Sequence, residues 1–244
     1  MNKELLEEKI QFVLHFCYGY KEYGNSVSES DGFAAINNFI VALCNRAIAL
    51  NMAFYDLTTS EVENYIAAIP LIRLIIDNSL TGYGALLSGD PLKYITFIQK
   101  GHEARDFVTK EKGKLREGII VKELDQEIKG IKELYNKTCT YIHFSADLIN
   151  SAVQQWKGED GKNHINMNIC KVDGSFTDEA KLAFWDDLIG ANIYMMGVIA
   201  KWDDYIKEVE MPMIEQIYNK HQEEILESYK QLHHRENDIE PLKK

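Results

Sequence analysis

Residues 62–87 read VENYIAAIPLIRLIIDNSLTGYGALL. The stretch is long and apolar, and it predicts a helix that other helices surround. Pro70 falls inside it, and an interior proline removes a helix hydrogen bond, so a kink or division is expected there. Just before it, FAAINNFIVALCNRAIALNMAF (33–54) is apolar on most faces and predicts a second central helix, with Asp31 as its cap. Thr58, Thr59, Ser60 and Glu61 mark the boundary between the two.

Further out, Leu5, Leu6, Ile10, Val13, Leu14 and Cys17 recur at helical spacing and predict a first helix over Lys3–Tyr23, ended by Gly24, Asn25, Ser26 and Ser28. On the other side, Ser88–Pro91 form a break, and Pro91 suits the first turn of a new helix. Lys93–Gly130 predicts two or three shorter helices. KELYNKTCTYIHFSADLINSAVQQW (132–156) predicts a longer one. HINMNICKV (164–172) alternates enough for a short β-hairpin. Asp178 starts a long helix, and a last helix around Met213–Leu232 leads into a polar tail. The expectation is an all-α fold, a multi-helix bundle with at most one small hairpin near 164–172. It forms a single domain over 1–232 with a tail at 233–244.

The chain has 244 residues and a formal charge of −11, which makes broad affinity for phosphate backbones unfavourable. Between Lys93 and Lys137, however, 11 Lys/Arg stand against 8 Asp/Glu. The four cysteines, Cys17, Cys44, Cys139 and Cys170, form no CxxC pair. Their spacing fits free thiols in a reducing compartment. The N-terminus lacks signal-peptide architecture, and no uninterrupted apolar run is long enough to span a bilayer. A soluble, cytoplasmic protein with no membrane partner is expected.

Two helices hold the polar groups of interest. With Ile131 at the centre of a helical face, Leu134, Tyr135, Thr138, Ile142, Ser145 and Ile149 cluster around it. His143 falls at the border of that face, Cys139 one turn before it and Asp147 one turn after, so Asp147 is placed to orient His143. In the earlier helix, Arg73 lies among apolar residues and needs a partner if buried. Asp77, one turn on, is the obvious one. Arg73 either pairs with Asp77 alone or also reaches across the bundle toward His143 or Tyr135. The cluster is then a ligand site between helices or a device that knits the core.

These helices together, over about Ile69–Ile149, resemble a family of bacterial all-helical proteins loosely related to the HEPN-like superfamily. The shared pattern is an Arg followed by an acid, then Tyr–x–x–(Ser/Thr)–x–x–x–x–His; here Arg73, Asp77, Tyr135, Thr138 and His143. The resemblance implies an up-down helical core with extra helices. It also implies a role in bacterial defence or stress, acting on RNA or descended from an RNA-acting ancestor, and a homodimer. Active HEPN-like ribonucleases carry Arg–x(4–6)–His, whereas the position six before His143 is Lys137. Lysine lacks the bidentate fork suited to phosphate, so the resemblance implies the fold more than the catalysis. The alternative is a non-enzymatic helical module that binds a protein or small ligand between its helices.

No phosphate-binding glycine loop or nucleophile elbow occurs. The doublets Asp186–Asp187 and Asp203–Asp204, each after a tryptophan, read as solvated acids beside buried rings. His233–His234 lies in the polar tail. No four ligands recur at the spacing of a structural metal site, so neither a metal nor a cofactor is expected.

Overall fold

The computed structural model describes residues 3–30, 32–142, 153–157, 161–167, 176–216 and 219–220. The expected Asp31 cap, His143, Asp147, Cys170, residues 168–172 of the hairpin, and everything from 221 onward, with the end of the last helix, the tail and its histidine pair, lie outside them. The fold is an all-α bundle. Its elements are α1 (Lys3–Ser28), α2 (Ala34–Thr59), α3 (Tyr65–Leu87), α4 (Pro91–Gln99), β1 (Val108–Thr109), β2 (Gly113–Lys114), α5 (Glu117–Glu127), α6 (Ile131–Ile142), β3 (Val153–Lys157), β4 (Asn163–Met167) and α7 (Asp178–Tyr205). The chain groups into two compact units, Met1–Ala200 and Lys201–Lys244. In the second, the helix passes through a π turn at Ile206–Glu210, and Trp202 meets Tyr205 edge to face at 5.6 Å.

In the first unit α3 is central and packs on α2, α4, α5 and α6. Pro70 does not divide it: α3 runs as one helix from Tyr65 to Leu87. Its N-terminus is capped by Asn64, whose side chain accepts from the Ala67 N–H. Asp90 caps α4 in the same way, with Pro91 in the first turn as expected. α1 also exceeds its expected end. Gly24 does not break it: it is buried within α1 on the side facing Cys44 of α2.

The core is aromatic around α2 and α7. Phe54 meets Trp185 edge to face at 5.0 Å, and the Trp185 indole N–H donates to the Tyr65 hydroxyl. A polar device sits inside it. Asn51 and Asn192 exchange reciprocal amide bonds of 2.8 Å, and the Tyr20 hydroxyl donates to the Asn192 Oδ1, so α1, α2 and α7 are locked in register. α2 and the helical span 178–216 are long and apolar enough to cross a membrane by length and composition, a property that core helices share.

The hairpin is real but shifted. β3 pairs antiparallel with β4, Val153 opposite Met167, so the first strand occupies residues 153–157, of which 153–156 were expected to be helical. A second, two-residue ladder pairs Val108 with Lys114. It turns residues 100–116 back over α4, where Phe107 meets Tyr94 at 5.1 Å and Phe97 at 5.4 Å.

Candidate functional site

Arg73 is the organising residue. Its position in the middle of α3 buries it to 3% exposure. A buried guanidinium survives only if its donors are satisfied. Nε donates to Asp77 Oδ1 at 2.7 Å, one turn along the same helix. Nη1 donates to Cys139 Sγ at 2.9 Å, and Nη2 reaches Glu117 Oε2 at 3.5 Å. The Tyr135 ring covers the guanidinium face, with Cζ 3.8 Å from the ring centre. The Tyr135 hydroxyl in turn donates to the same Glu117 oxygen at 2.8 Å.

Helical spacing explains the convergence. Tyr135 and Cys139 are one turn apart on α6 and present the ring and the sulfur together. Glu117 opens α5, whose first turn lies beside α3. Burial works against the Arg73 charge, but the bonds to Asp77, Tyr135 and Cys139 outweigh it and hold the guanidinium firmly protonated. Burial raises the Asp77 carboxyl above its ordinary value and nearby Glu117 raises it further, against the pull of Arg73. Burial, with the bond to Glu117, also raises the Tyr135 hydroxyl.

Of the residues singled out by sequence, the structure brings Arg73, Asp77 and Tyr135 together. Thr138 is fully buried beside them but spends its hydroxyl on the Leu134 and Tyr135 carbonyls of its own helix. His143 and Asp147 lie outside the described residues. Glu117 and Cys139 are part of the cluster that sequence reasoning did not assign to Arg73. The available signal was only the i, i+4 spacing of Tyr135 and Cys139; Glu117 comes from a separate helix, and no sequence pattern announces it.

Lys137 has another role. Its ammonium pairs with Asp187 at 2.7 Å, and the Tyr141 hydroxyl donates to the other Asp187 oxygen at 2.6 Å. Asp187 is therefore buried and bonded across α6 and α7, not a solvated acid, whereas its neighbour Asp186 is exposed and pairs with Lys9.

Asp77 and Glu117 open onto a cleft of about 370 Å³. Leu80 and Thr81 of α3 line it, with Tyr94 of α4, Ile120 of α5, and Glu103, Ala104, Arg105 and Leu115 of the folded-back segment. Glu103 and Arg105 are ion-paired at its rim. Another depression of about 540 Å³ lies beyond Glu117, lined by Arg105, Asp106, Lys114, Arg116 and Tyr135, with Lys114 paired to Asp106. Compared with protein-family models, curated proteins and solved structures, the chain matches none.

Proposed function

We propose that this chain is a helical binding module that holds a small ligand in the cleft between α3, α4 and α5. The observation that carries the reading is the composition of that cleft. It pairs an apolar inner wall, Leu80, Leu115 and Ile120, with carboxylates from separate elements, Asp77 of α3 and Glu117 of α5. Binding sites for small molecules have this character. Arg73 serves the site from behind, fixing both carboxylates instead of offering its own donors. Ligand-observed saturation-transfer NMR tests the reading. Benzylamine, benzyl alcohol and benzoate are presented to wild type and to Ala104→Trp, which fills the cleft without changing its charge. At least one probe receives saturation from wild type and loses it in the variant. Equal signals from both proteins for all three probes contradict the reading.

A second reading is an RNA-related, HEPN-like protein. Beside the sequence resemblance, it is supported by the Arg105, Lys114 and Arg116 depression next to the exposed flank of Tyr135, a combination of charge and stacking surface that single-stranded RNA uses. Against it stand the net charge of −11 and the engagement of Lys137 with Asp187. Fluorescence anisotropy with a labelled single-stranded RNA tests it: salt-sensitive binding weakened by Arg116→Ala supports this reading, and no binding at low salt removes it.

A further inference from the structure

Residues 102–115 are bonded to themselves more than to the rest of the fold. The Asp106 and Phe107 amides donate to the Glu103 and Ala104 carbonyls, and the Leu115 amide donates to the Phe107 carbonyl at 2.9 Å. Between them β1 pairs with β2, and the Thr109 hydroxyl oxygen accepts from the Lys112 amide in the turn. Ion pairs follow the same pattern: Glu103 meets Arg105, and Asp106 meets Lys114. Beyond the junctions with α4 and α5, one polar tie leaves the segment among the described residues. It is the part-exposed pair of Lys112 with Glu123 of α5, at 3.0 Å. Two buried side chains supply the remaining anchorage. Phe107 lies against Tyr94 and Phe97 of α4, and Leu115 is fully buried. Glu103, Arg105, Asp106, Val108, Lys110, Glu111 and Lys114 are exposed. At the start of the segment Gly101 takes φ 85°, a left-handed conformation that favours glycine, and open space surrounds the place a Cβ would occupy.

We propose that residues 102–115 form a strap that opens and closes as one unit over the cleft, pivoting at Gly101 and latched by Phe107. Glu103, Ala104, Arg105 and Leu115 of the strap make one wall of that cleft. The other walls come from α3, α4 and α5, and α3 packs on both α4 and α5 without the strap. The strap therefore leaves without unmaking the bundle. Its internal hydrogen bonds and ion pairs travel with it, so opening costs little beyond wetting Phe107 and Leu115 and parting one surface ion pair, which is weak. Segments with few buried apolar contacts and an exposed outer face open well before the core unfolds. Opening removes a wall of the cleft, which is how a lid controls access to a site. The motion belongs to the fold and stands whether or not the cleft takes a ligand.

Native-state hydrogen exchange of the full-length protein, read amide by amide by NMR, tests this. The hydrogen-bonded amides of Phe107 and Leu115 report the strap, and those of Ile75 and Ile76, fully buried in α3, report global unfolding. The expected result is one shared protection factor for the two strap amides, at least about tenfold above that of a free peptide and at least about a hundredfold below that of α3. Urea below the unfolding midpoint separates the two motions further. It lowers α3 protection steeply and strap protection little, because opening the strap exposes little surface. Phe107→Ala lowers the protection of the Leu115 amide and of its own by the same factor, about tenfold or more. Strap amides that match α3 in both protection and urea dependence overturn the proposal, since the segment then opens only when the whole protein unfolds. Exchange at free-peptide rates overturns it too, because no closed strap then exists. If Phe107→Ala leaves the Leu115 amide unchanged, the segment is not one unit and the latch is wrong; the urea series on wild type decides the matter should that variant fail to fold.

Discussion

Arg73 contributes to the fold through what it neutralises. Truncating it strands Asp77, and Glu117 in part, without their cation. Arg73→Ala is therefore expected to lower stability by about 3 kcal/mol, near the lower end for a broken buried pair because Asp77 keeps some solvent contact. Urea denaturation measures this, and a loss under about 1 kcal/mol contradicts the assignment. Thr138→Val is expected to cost much less, since the Thr138 hydroxyl bonds only carbonyls of its own helix. Asp77 sets a pH dependence. Burial raises its folded-state value, so its protonated form is favoured in the native protein. The stability it contributes is present below the ordinary carboxylate value of 3.8 and is lost as pH rises through the raised one. The pH dependence of stability of wild type against Asp77→Asn, by urea denaturation, reads this, and profiles that run parallel contradict it. The Arg73–Asp77 pair was legible in sequence because helical spacing alone creates it. Glu117 was not, because its approach depends on how α5 docks on α3.

At the scale of elements, apolar periodicity placed the helices, and tertiary contacts moved their ends. Gly24 reads as a stop in isolation, yet it is buried where α1 packs on α2, and the helix continues through it to Ser28. Pro70 reads as a break, yet α3 is held by neighbours along its length and continues through it. Residues 153–156 carry a helical pattern and lie in a strand, because β4 supplies a partner ladder that no single segment announces. The register of α1, α2 and α7 rests on Asn51, Asn192 and Tyr20. Asn192→Leu leaves the Asn51 Oδ1 without its donor in the interior and the Tyr20 hydroxyl with only its longer bond to the residue 192 carbonyl, at a cost of about 1–3 kcal/mol. Asn51→Leu/Asn192→Leu is expected to recover part of that loss. A double-mutant cycle by chemical denaturation checks the coupling, and strict additivity contradicts it.

For the whole molecule, buried acids that must stay neutral predict an alkaline limit. Burial pushes the Cys17 thiol up to about 11, the Cys44 thiol up to about 12 and the Tyr94 hydroxyl up to about 12. Their contribution is complete below 9.0, the ordinary thiol value, and is lost as pH rises toward 12, because the unfolded chain releases protons that the native one retains. Melting temperature is expected to fall steadily over that interval. A flat profile contradicts the burial of these groups. A two-fold dimer is what the sequence resemblance implies. Light scattering at micromolar concentration that shows only monomer removes it. The claim on which the functional account turns is the location of the ligand. The most direct measurement is intermolecular nuclear Overhauser contacts between the probe that binds and a sample labelled at isoleucine and leucine methyl groups. The account predicts contacts from the probe's ring protons to Ile120, Leu80 and Leu115. Contacts confined to methyl groups elsewhere in the protein, or none at probe concentrations that saturate binding, contradict it.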